Sequence, residues 1–166
     1  SGSFLSARVD EAAARLAQIL QEEDAEVLTI YDERGGYDHP DHVQVHDVGV
    51  RAAELAATPR VYAATFSREH FVRTARRWRH TLPPEAGFPD PDEFDLGVDE
   101  ARITTVVDVG AALAQKRAAI AAHASQVSEE SYFLAMAPEA FSEAFGTEWF
   151  MRIGAPRSTE RETWLF

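Results

Sequence analysis

The sequence predicts an α/β fold: a mostly parallel, Rossmann-like sheet flanked by helices. Three observations carry that expectation. Stretches with apolar residues at helical spacing alternate with short apolar runs of strand length. The runs at 27–31, 61–66 and 103–109 are partly β-branched and nearly continuous in apolar character, as suits strands of a buried parallel sheet. A helical pattern follows each of them, as in βαβ units.

The elements follow in order. Val9, Ala12, Ala13, Leu16, Ile19 and Leu20 predict an amphipathic helix over about 8–23, with Ser6 as its N-cap. Residues 27–31 are read as a buried parallel strand. Val45, Val48, Ala52, Leu55 and Ala56 give the next helix an apolar face, and Thr58-Pro59 ends it. The strand at 61–66 leads to Ser67, which caps a helix over about 68–80. Residues 81–96 hold four of the eight prolines and show no apolar period. They read as a long loop, either a lid or a surface excursion. The strand at 103–109 precedes a helix that ends near 123–126. Ser128 and Pro138 mark further helix starts, the second covering about 138–145. A last strand at 148–153 is closed by Gly154-Ala155-Pro156. No strand precedes the opening helix, which is unusual for a complete parallel-sheet domain.

Composition narrows the function. The 166 residues suffice for one domain with a core. The formal net charge of −12 argues against binding a nucleic-acid backbone. The short basic cluster at 73–80 alternates with apolar residues and reads as a solvated helix face. No cysteine is present, so disulfides and thiolate catalysis are excluded, and any metal must be held by His and carboxylate. No apolar run reaches the ~18 residues of a membrane span, and no signal peptide is recognisable, so the expected location is cytoplasmic. No Gly-x-Ser-x-Gly elbow supports a serine hydrolase, and no Gly-x-Gly-x-x-Gly follows a strand.

The most informative stretch is Tyr31 to His46. It follows the first strand, turns at Gly35-Gly36 and packs three of the six histidines into eight residues. Ligands of open α/β sheets bind beyond the carboxyl ends of strands. A catalytic zinc takes three protein ligands and keeps one position for water. His42 and His46 are spaced i, i+4 and would share one helix face. His39 precedes that helix, and Asp38 and Asp41 are placed to orient imidazoles. A His-x-x-x-His pair alone is weak evidence. Together with a third His, two Asp, a Gly-Gly turn and a preceding strand, it points to a metal-dependent site.

The block Gly35-Gly36-Tyr37-Asp38-His39-Pro40-Asp41-His42, with His46 four residues on, resembles the second motif of the LmbE-like (PIG-L) zinc deacetylases of N-acetylglucosamine-type conjugates. These include the deacetylases and amidases of mycothiol and bacillithiol metabolism. The segment 3–11, the Lys116-Arg117 to His123-Ala124-Ser125-Gln126 helix, Glu148-Trp149-Phe150 and the closing 161–166 are similar to other parts of that family. The resemblance implies a Zn2+ ligand at His42, a catalytic His39 at the oxyanion or leaving amine, Tyr37 on the oxyanion side, and Asp41 modulating His39. It implies a supporting or packing role for His46 and Asp38. His123 is a pocket candidate, with a helix-end contact to backbone as the alternative.

The family's first motif, Ala-His-Pro-Asp-Asp-Glu, has no counterpart here. The resemblance therefore implies the C-terminal portion of a single domain, with a missing N-terminal segment carrying the other zinc ligands and the general base. The chain alone should bind zinc poorly and be inactive. The expected substrate is a small amino-sugar conjugate, and a homo-oligomer is open. Two alternatives stand: a non-catalytic sugar- or protein-binding module, and a different metalloenzyme using His39, His42 and His46 together.

Overall fold

The computed structural model describes residues 3–88, 90–93, 95–128, 130–155 and 160–166. Ten elements matter to the site. They are α1 (Val9–Glu22), β1 (Val27–Tyr31), α2 (Pro40–Ala56), β2 (Arg60–Thr65), α3 (Arg68–Trp78), β3 (Thr105–Asp108), α4 (Leu113–Ala121), α5 (Tyr132–Ala135), α6 (Pro138–Phe145) and β4 (Thr147–Arg152). No helix among the described residues is long and apolar enough to cross a membrane.

The α/β class holds, but the sheet is mixed rather than mostly parallel. Its order is β1-β2-β4-β3. Among the strands of the described residues, only β1 and β2 pair in parallel with each other; β4 runs antiparallel to both β2 and β3. The reason lies in the connection. Asp108 at the end of β3 sits opposite Thr147 at the start of β4, and the Val109 amide donates to the Gly146 carbonyl. The helices between them return the chain to the end of the sheet it left, so β4 must run back. Helical and strand periodicities say nothing about which end a connection returns to.

Other expectations need local correction. β1 is an edge strand with Thr29 and Tyr31 exposed, not a strand buried on both faces. Ser6 lies in a 3-10 turn, and the N-cap position of α1 is Arg8, without a side-chain cap bond. The Ser128 carbonyl accepts the Ser131 amide, and the helix starts only at Tyr132. In the segment 81–96, residues 84–86 form a 3-10 turn and Ala86 is buried. Pro89 and Phe94 of that segment, and Pro156 of the closing turn, lie outside the described residues.

Apolar packing fixes α2, which carries two of the three clustered histidines. Val48 and Ala52 interlock with Ala13, Ala17 and Leu20 of α1. A fully buried Leu contributes roughly 1.5–3 kcal/mol. On the sheet side, Gly49 lets α2 close on β1: a Cβ there would stand 2.4 Å from Ile30 Cγ2. A second layer packs Ile30, Ala63, Trp149 and Met151 with Val98 and Ile103. The start of α2 is thereby held just beyond the carboxyl end of β1.

Candidate active site

The loop between β1 and α2 is shaped by Asp32, the residue after the strand. It is 1% exposed. Its Oδ1 accepts the amides of Arg34 (3.0 Å) and Gly36 (2.9 Å), and its Oδ2 accepts the Thr65 hydroxyl (2.6 Å). Its carbonyl accepts the Gly35 amide at 2.8 Å. Gly35 has φ +62°, and a Cβ there would meet His42 Cβ at 2.6 Å and Val43 N at 2.7 Å. Only glycine allows the loop to lie this close to the first turn of α2.

That turn is built by His39, Pro40 and Asp41. His39 is the N-cap: its Nδ1 accepts the Asp41 amide at 3.2 Å, and Pro40 occupies the first helical position. The neutral His39 ring therefore carries its proton on Nε2. His42 is the opposite tautomer. Its Nδ1 lies 3.0 Å from the Gly35 carbonyl oxygen, an acceptor only, so Nδ1 donates and Nε2 keeps its lone pair. His46 repeats this pattern with its Nδ1 2.9 Å from the Tyr31 carbonyl.

Four aromatic rings converge here. Tyr31 stacks on His42 with centroids 4.1 Å apart and planes 1° from parallel. Tyr37 meets His42 edge-on at 5.2 Å and His39 at 5.9 Å, and the two imidazoles are 4.7 Å apart. Tyr37, His39 and His42 thus share one small surface at the carboxyl end of the sheet.

The neighbouring carboxylates face elsewhere. Asp41 Oδ1 accepts the Ser3 hydroxyl (2.6 Å) and the Leu5 amide (2.7 Å), and these bonds hold its carboxyl below the usual range. It ties the N-terminal segment to α2 and touches His39 through its backbone amide. Asp38, at φ +62°, is gripped at 3.0 and 2.6 Å by the Arg34 guanidinium, which likewise lowers its pKa. Arg34 also pairs with Asp95 at 2.9 Å, and Asp95 pairs with Arg68 at 2.9 Å. This bridge fastens the proline-rich segment to the histidine loop. His123 stands apart near the end of α4, exposed, with its Nδ1 2.9 Å from the Ala119 carbonyl. Tyr31, stacked on His42, and Asp32, beneath the loop, are structural neighbours of the histidines that the residue pattern did not single out. The signal for Asp32 was its place between a strand end and a Gly-Gly turn.

A cavity of about 640 Å³ adjoins Tyr37 and His42 and runs between α3, α5, α6 and the proline-rich segment. Among the described residues no group of three or more His, Asp or Glu could hold a metal ion. His42 offers one good nitrogen ligand, but the described residues alone do not make a zinc site.

The α/β scaffold thus places two imidazoles with opposite tautomers side by side at a strand end. Sequence comparison narrows the class. The chain is 37% identical, over 98% of its length, to the 1D-myo-inositol 2-acetamido-2-deoxy-alpha-D-glucopyranoside deacetylase of Thermomonospora curvata, of which it covers 61%. It is 38% identical over its whole length to the protein of that name from Streptomyces avermitilis, covering 62% of it. The counterpart from Thermobispora bispora is 36% identical over 92% of the chain. The chain thus spans about six-tenths of the length of these relatives. No family model matches it.

Proposed function

We propose that this chain carries the histidine half of a zinc-dependent deacetylase site. The complete protein would remove acetyl from an N-acetylglucosaminyl conjugate of the kind its relatives are named for. One observation carries the reading: His42, locked by the Gly35 carbonyl with Nε2 free, beside His39 with Nε2–H exposed. A ligand and a hydrogen-bond donor side by side are what amide hydrolysis needs.

In this reading His42 is one zinc ligand. The other ligands and the general base are supplied from outside the described residues. Zinc bound there would polarise the amide carbonyl and lower the pKa of water to about 7. The backbone carbonyl behind His42 fixes its tautomer and ring orientation.

His39 donates Nε2–H to the carbonyl oxygen as negative charge develops. The alternative role, protonating the leaving amine, would need an imidazolium with a proton on Nδ1. That proton would face the Asp41 amide N–H, so the N-cap bond favours the neutral, oxyanion-stabilising role. Tyr37 adds a phenolic donor from the same side. Asp41 positions His39 through its backbone amide, and His46 braces α2 against the Tyr31 carbonyl. Asp38 holds Arg34, which ties Asp95 of the proline-rich segment to the loop.

The test is acetate release from N-acetylglucosaminyl-inositol by the complete, zinc-supplied protein. Turnover should fall steeply in His42→Ala and in His39→Ala. Unchanged turnover in both would refute the assignment and leave a non-catalytic binding role.

A further inference from the structure

We propose that the cavity beside His42 is an acyl pocket, which takes from the amide substrate an apolar N-acyl chain longer than acetyl. The inference rests on the deacetylase reading above and extends its substrate class from acetyl to longer N-acyl groups.

The walls carry the argument. Phe71, Phe88, Tyr132, Phe133, Phe145 and Trp149 line the cavity, and among the described residues of its lining none is Asp, Glu, Lys or Arg. That is a marked departure for a chain in which 27% of residues are charged. Away from Tyr37 and His42, the wall groups of Thr65, Ser67, His70 and Thr74 are already engaged within the protein. Thr65 donates to Asp32, Ser67 donates to Glu100 and accepts the His70 amide, and Thr74 meets His70. His70 itself is held between the Glu143 carbonyl and Arg73. The phenol of Tyr132, pushed up to about 12 by burial, stays neutral.

An amide carbon carries two substituents: an alkyl chain on the carbonyl side and the amine on the other. An amino sugar is a polyol, and its hydroxyls would lose water against the wall of Phe71, Phe88, Phe133, Phe145 and Trp149 without gaining partners there, at a cost of roughly 1–3 kcal/mol each. The alkyl side is the one this chemistry accepts. The wall formed by Gly36, Tyr37 and His42 joins the cavity to the reacting groups, so an acyl chain can enter it from the amide carbon. Its volume, about 640 Å³, is that of a site for a drug-sized ligand, far more than a methyl group fills.

The experiment uses the complete protein and N-acylglucosaminyl-inositols with acetyl, butanoyl, hexanoyl and octanoyl groups. The kcat/KM should rise by about fourfold per methylene, the effect of burying one CH2. In parallel, the metal-stripped protein is titrated with N-octanoylglucosamine and N-acetylglucosamine, followed by tryptophan fluorescence. The octanoyl compound should bind at least ~100-fold tighter. Phe88→Ser and Leu96→Gln, each checked for folding by thermal melt, should reduce both the octanoyl-to-acetyl rate ratio and the binding ratio. Acetyl hydrolysis with a flat chain-length series and equal binding would overturn the pocket and leave the deacetylase reading intact. Tight, Phe88-dependent octanoyl binding without hydrolysis of any substrate would sustain the pocket and overturn the deacetylase reading.

Discussion

Gly35 and His42 are locked together twice. The Gly35 carbonyl oxygen stands 3.0 Å from His42 Nδ1, and a Cβ on Gly35 would stand 2.6 Å from His42 Cβ. The contact that selects the tautomer therefore depends on the missing side chain. Gly35→Ala meets both a positive φ, costing about 1–2 kcal/mol, and a clash with the main chain of Val43. We expect a stability loss of about 3 kcal/mol or more by urea denaturation. Zinc affinity of the complete protein should fall ~10–100-fold, as when an orienting partner is lost.

His39 and His42 are direct neighbours, with ring centroids 4.7 Å apart, yet have opposite tautomers. If His39 acts on the developing oxyanion, its loss should appear in kcat and spare KM. His39→Ala is expected to lower kcat by about 100- to 1,000-fold. His39→Gln keeps an N–H donor and should recover part of that loss. Steady-state kinetics on the acetylated substrate separates the two variants.

Asp32 holds the loop from beneath. Asp32→Ala leaves the amides of Arg34 and Gly36 and the Thr65 hydroxyl without their carboxylate acceptor. Hydrogen bonds to a charged group contribute ~1.5–3 kcal/mol each, so the loss of three predicts a destabilisation of about 4–9 kcal/mol. Asp32→Asn retains an acceptor oxygen for the two amides and should lose about 1–2 kcal/mol. Urea midpoints of the three proteins give the comparison.

His70 links α3 to α6 through the Glu143 carbonyl and packs against Trp149 at 4.7 Å. Burial is the main cause of a pKa lowered from the ordinary 6.5; Arg73 lowers it further, while Glu143 and Glu100 act the other way. The unfolded chain thus binds a proton at higher pH than the folded one. The stability contributed by neutral His70 is complete above about pH 6.5 and is lost as pH falls through the folded-state value. Between pH 6.5 and 5, thermal melts of the wild type should drop more steeply than those of His70→Gln. Equal slopes would show that His70 does not govern this range.

Much of this was readable in advance. Residues 27–31 form the strand that their apolar run indicates, and Pro40 starts the helix that His39 precedes. Ser67 caps α3 through its hydroxyl, as its position before Arg68 suggested. The direction of β4 was not readable, because it follows from where α6 delivers the chain. The Arg34–Asp95 bridge joins residues 61 positions apart, and no local pattern marks such a pair. Asp32 and Tyr31 escaped for a related reason: one acts from beneath the loop and the other through a stacked ring, and neither role leaves a spacing signature.

Zinc stoichiometry of the complete protein tests the central claim most directly. Wild type and His46→Ala should each bind about one zinc per chain, because the rings that converge at the site are those of Tyr31, Tyr37, His39 and His42, and His46 is held at the Tyr31 carbonyl outside that group. His42→Ala should lose the ion or bind it at least ~100-fold more weakly. Retention of one tightly bound zinc by His42→Ala would contradict the account, whatever the activity of the variant.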